Sequence, residues 1–90
     1  MAEGTLAEKW KRIESSLLGA EQLLLLAAPQ VNGSLEHGIF REYLLHNELG
    51  LAFEALEGLV ADSGVENREI QGLLAGAAEN MGLKNGLGRE

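Results

Sequence analysis

The chain has 90 residues, 46% of them hydrophobic, and carries a formal net charge of −7 with no cysteine. That length suits one domain near the lower limit for an unaided core, and the acidity opposes binding to nucleic acid or anionic lipid. The longest apolar run, Leu23–Ala28, is far too short for a membrane span, the Met1-Ala2-Glu3-Gly4 start lacks a secretory pattern, and the missing cysteines fit a reducing compartment, so a cytoplasmic protein of bacterial type is expected.

The pattern is helical from end to end, because β-branched alternation is almost absent. Thr5 with Glu8 three residues on matches a capping box, and Leu6, Trp10, Ile13 and Leu17 then repeat at helical spacing. Gly19 is expected to interrupt this helix, leaving a second piece over Glu21–Ala28 that ends at Pro29 and the Val31-Asn32-Gly33 loop. Ser34 reads as the N-cap of a helix from Leu35 to about Leu45, with Leu35, Ile39, Phe40, Tyr43 and Leu44 along one side. His46-Asn47 then forms a tight corner with Asn47 as the next cap. On the helix that follows, Leu49, Ala52, Phe53, Leu56, Leu59 and Val60 gather in one third of the wheel, and Gly64 ends it. Asn67 caps a last helix buried through Ile70, Leu73, Leu74, Ala77 and Met81 and stopped near Gly82. Short connections favour antiparallel neighbours. The expectation is an all-α fold: a compact antiparallel bundle of four to five short helices over residues 1–82, followed by a flexible glycine-rich tail at 83–90. Its core is expected to hold Trp10, Ile13, Leu17, Ile39, Tyr43, Phe53, Leu56, Val60, Ile70 and Leu74.

Charge is distributed unevenly along this bundle. Residues 34–66 carry Glu36, Glu42, Glu48, Glu54, Glu57, Asp62 and Glu66 against Arg41 alone, a net of −6. A field of one sign speeds encounter with a basic surface. The chemistry of an enzyme is not visible beside it. His37 and His46 sit nine residues apart without cysteine, which suits a corner residue bonded to backbone better than a metal site. The carboxylates of Glu54 and Glu57 fall on the outward side of their helix, where nothing separates their environments as an acid/base pair needs. No serine sits in a nucleophile elbow, and the glycines at 82, 86 and 88 lack the lysine of a phosphate loop. Lys9, Lys11 and Arg12 around Trp10 read as side chains snorkelling about one helix end rather than a nucleic-acid footprint. The outward face of the Asn47–Asp62 helix is more informative, with Gly50, Glu54, Gly58 and Ala61 flanked by Leu51 and Glu57. Two glycines inside a helix cost stability. Close packing against another helix of the same bundle is the plain explanation, and close approach of a partner chain is the functional one.

The stretch from Phe40 to Glu57 resembles the central segment of small immunity proteins of bacterial polymorphic toxin systems, in particular the MafI-like group. The likeness is an apolar helix that ends at a His/Asn/Gly corner and is followed by Glu-x-Gly-x-Ala-x-Glu-x-Leu, here Glu48, Gly50, Ala52, Glu54 and Leu56. Neither the Trp10 segment nor the glycine-rich tail adds to it, and the last helix is shorter and richer in alanine than such proteins lead one to expect. The resemblance implies a stoichiometric inhibitor that binds a cognate toxin domain in the cytoplasm. It supplies no contact residues. Those come from charge and helix geometry: Glu42, Glu48, Glu54 and Glu57 as charges, with Tyr43 and Leu51 as apolar contacts, facing a basic protein surface. No cofactor, metal or nucleic acid is expected. The alternative is a self-associating structural or adaptor protein, a homodimer through the same small-residue face.

Overall fold

A computed structural model describes residues 6–82. Four helices, α1 (Leu6–Ala27), α2 (Leu35–Leu45), α3 (Leu49–Ser63) and α4 (Arg68–Met81), and one 3₁₀ turn at Pro29–Val31 make an all-α bundle. The proposed Thr5 cap and the 83–90 tail lie outside the described residues. Local chemistry sets most of the boundaries. The Ser34 hydroxyl accepts the His37 amide at 3.2 Å, and the Asn67 side-chain oxygen accepts the amides of Glu69 and Ile70 at 2.8 and 3.1 Å. These bonds satisfy donors that the first turn of a helix leaves open. Gly64 and Gly82 end α3 and α4 in the left-handed conformation, at φ 75° and 80°, where a Cβ would be strained.

Two junctions depart from the sequence reading. Gly19 does not break the first helix: α1 runs unbroken for 22 residues. Its glycine serves packing instead, since a Cβ at Gly19 would lie 3.3 Å from Leu73 Cδ1 of α4. Asn47 does not cap α3 either. It takes a left-handed backbone at φ 61°, which asparagine tolerates better than most residues. Glu48 becomes the N-cap without a side-chain bond, and its amide donates to the Tyr43 carbonyl at 2.8 Å.

Helix α1 packs chiefly on α4, and α2 chiefly on α3, while α1 also crosses α3. Lys9, Trp10 and Ile13 line one hollow with Asn80 and Met81, and Gly19 lies under Leu73, so α1 and α4 run antiparallel. The shared core centres on Leu17, Leu24, Phe40, Phe53, Leu56 and Ile70. Trp10 and Ile39 are not in it, being 44% and 42% exposed. Tyr43 packs only partly against it. The Ile39 error is one of phase. Helix α2 turns His37, Phe40 and Leu44 inward and leaves Leu35 and Ile39 outward. No described helix is long and apolar enough to cross a membrane.

Candidate functional site

The residues proposed for partner contact occupy different positions on the α2–α3 hairpin. Glu42 is exposed on the outer surface of α2, directly away from the buried His37, Phe40 and Leu44. Tyr43 is half-buried and offers a partner only part of its ring. Glu48 is exposed at the head of α3. Leu51, Glu54 and Glu57 all project outward from α3, because the inward arc is filled by Leu49, Ala52, Phe53, Leu56, Leu59 and Val60.

Glu54 and Glu57 are brought together. They share an open groove of about 660 Å³ with Glu66, along the outer side of α3 and the start of α4. Apart from the polar Gln71, its other walls are small or apolar, from Gly58, Ala61 and Gly64 to Val65 and Leu74. Glu57 is an exposed residue, yet partial desolvation pushes its carboxyl above the ordinary value, and the charge of Glu54 pushes it the same way. Both causes disfavour a second negative charge at this spot. A cation from outside would offset the repulsion between Glu57 and Glu54.

The two interior glycines of α3 are not explained by packing within the bundle. A Cβ placed at Gly50 or at Gly58 would meet no described residue within 4 Å. Among the described residues, close packing against a neighbouring helix, the plain reading of these positions, is therefore overturned. They leave low, bare backbone on a face that carries Leu51, Glu54 and Glu57. Gly50 also borders a second hollow of about 420 Å³, where the half-exposed Trp10 lies beside Ile13, Leu49 and Met81.

A buried polar cluster went unread in the sequence. Glu21 of α1 is 4% exposed and His37 of α2 is 7% exposed, with Nε2 of His37 2.6 Å from Oε2 of Glu21. Arg41, one turn beyond His37, donates to the other Glu21 oxygen at 3.2 Å. The second ring nitrogen of His37, Nδ1, accepts the Gly33 amide at 3.1 Å. A backbone N–H can only donate, so Nδ1 is unprotonated and Nε2 carries the hydrogen given to Glu21. Every polar atom of the pair then has a partner. This links α1 to α2, whose backbones do not pack closely against each other. With both ring nitrogens engaged, His37 is a strut rather than a general base. His46, by contrast, behaves as expected of a corner residue, its Nδ1 donating to the Glu42 carbonyl at 3.0 Å.

Among the described residues, no group of three or more potential metal ligands is assembled. Comparison with family models, curated proteins and solved structures gives no match.

Proposed function

We propose that the protein is a non-enzymatic binding module that neutralises a basic partner, a cognate toxin domain, through the outer face of α3 and the adjoining α2–α3 corner. The observation that carries this reading is the bare, acidic outer side of α3. Gly50 and Gly58 give up helix propensity at places where no part of the described chain needs the room, and Glu54 and Glu57 stand beside them. A partner backbone can approach such a face closely, and lysine or arginine side chains can sit among the carboxylates. Charges at the rim of a contact govern encounter and selectivity, while apolar anchors such as Leu51 supply affinity.

Co-expression tests this directly. The probe is a candidate basic toxin domain, expressed at a level that arrests growth; where the neighbouring open reading frame encodes a large protein, the C-terminal domain of that protein is the one to use. Wild-type chain is expected to restore growth and to co-purify with that domain, and the Glu54→Lys/Glu57→Lys variant to do neither while keeping its helical circular dichroism. Arrest that persists with abundant folded wild-type chain contradicts the reading.

Self-association is the second reading. It is favoured by a different surface, the outer side of α2, where Leu35, Ile39 and Leu45 are exposed. Through α3, a twofold pairing would set Glu54 and Glu57 against their own copies, so the acidic face argues for a foreign partner. Light scattering separates the two readings, since a stable dimer supports self-association and a monomer supports the first.

A further inference from the structure

We propose that His37 is a proton-operated latch on the connector between α1 and α2. The inference follows from which atoms must carry hydrogen. In the observed arrangement the ring holds one proton, at Nε2, and donates it to Oε2 of Glu21 at 2.6 Å. Its Nδ1 is held as an acceptor for the Gly33 amide at 3.1 Å. A second proton can enter the ring only at Nδ1, where it would point at the Gly33 N–H. Two donors cannot share that line, so protonation of His37 and the Gly33 bond exclude one another.

The geometry also fixes which side yields. An imidazolium gains attraction to the carboxylate of Glu21, which is nearly fully buried on α1. Arg41 of α2 bears on the same carboxylate from its other oxygen, but more than half of that side chain is in solvent. Glu21 and Arg41 are the charged groups bonded into this cluster; no charged group of α3 or α4 is hydrogen-bonded to the ring among the described residues. Phe40 stacks near the ring, its centroid 6.5 Å away, and offers no proton acceptor for Nδ1. The ring therefore stays on Glu21 and the connector moves. Gly33 is exposed and glycine is free to change φ from its present 85°, so its amide can turn to water. Ser34 follows in the chain, and its hydroxyl caps α2 through the His37 amide. Loosening Gly33 thus reaches the N-terminal turn of α2, where Leu35 and Glu36 face solvent. Acid opens the start of α2 while the Glu21–His37 contact persists.

The test is a pH titration by ¹⁵N NMR on the full chain with His46→Gln, which removes the only other histidine. As pH is lowered from a neutral ring, the Gly33 amide is expected to shift with the same midpoint as the His37 ring nitrogens. Its protection against hydrogen exchange, corrected for intrinsic rates, is expected to fall about tenfold across that midpoint. At the basic end the ring should show the Nε2–H tautomer. A ring that protonates while the Gly33 amide keeps its shift and protection overturns the latch, as does a ring that stays neutral until the whole chain unfolds.

Discussion

Glu21 lies in the buried arc of α1 beside Leu17 and Leu24, at a position where the helical repeat calls for an apolar side chain. It is tolerated because His37 and Arg41, four residues apart on α2, reach it together. Replacing Glu21 with leucine strands the Nε2–H of His37 in the interior, which costs about 1–3 kcal/mol. Loss of the Arg41 contact adds little, because that guanidinium is already largely solvated. Glu21→Leu combined with His37→Leu removes donor and acceptor together and should cost clearly less than the two single changes added. Urea denaturation of the four proteins checks this, and strict additivity would mean that the pair is not coupled. Glu57 gives a prediction of opposite sign. Its carboxyl titrates above the ordinary carboxylate range in the folded chain, through desolvation and then Glu54. Below the unfolded-state value both states are protonated and there is no penalty. As pH rises through the raised folded value, ionisation costs stability, and the cost persists at neutral pH. Glu57→Gln should therefore be slightly more stable than wild type near pH 7 and equal to it in acid. Paired thermal melts at the two pH values decide it; an advantage that grows in acid would contradict the assignment.

Helix α3 is the element most fully legible in the sequence. The six residues that the helical wheel gathers on one arc, Leu49, Ala52, Phe53, Leu56, Leu59 and Val60, are all buried. Phe53→Ala should cost about 3–5 kcal/mol and Leu56→Ala about 2–5, read from the shift in denaturation midpoint. On the opposite arc, Gly50→Ala and Gly58→Ala should each stabilise the chain by about 0.5–1 kcal/mol, because the added methyl meets open space. If the pair also weakens partner binding, the glycines are kept for contact. Destabilisation would show that the helix needs them for itself. Helix α2 was legible in its limits but not in its rotation. Counting only apolar residues favours Leu35, Ile39 and Tyr43, whereas the fold buries His37 because a carboxylate sixteen residues earlier completes it. The available signals were a lone acid within an apolar stripe and a His/Arg pair at helical spacing. Neither names its partner until the helices are placed. Trp10 fits the stripe of α1, but it sits near the end of that helix and stays half-exposed. Gly19 looked like a break because the sequence does not reveal Leu73 lying across it.

At the scale of the whole molecule, a bundle stabilised by its interior carries its charge where stability gains little. The net −6 of residues 34–66 lies on α2, α3 and the turns around them, while α1 bears the basic group Lys9, Lys11 and Arg12. Such a distribution raises self-repulsion and favours a separate chain in solution over a copy paired through α3. A monomer at low salt is the expected state by light scattering. A dimer that tightens with added salt would shift the account toward self-association. The central claim, binding of a basic partner through the outer face of α3, is tested most directly by association kinetics. The association rate of this chain with the basic partner domain that the proposed function requires should fall steeply as ionic strength rises, since opposite fields steer the encounter. Glu54→Lys/Glu57→Lys should slow association at low salt, flatten that dependence and leave the melting curve close to wild type. An association rate and salt dependence unchanged by the double reversal would contradict the claim.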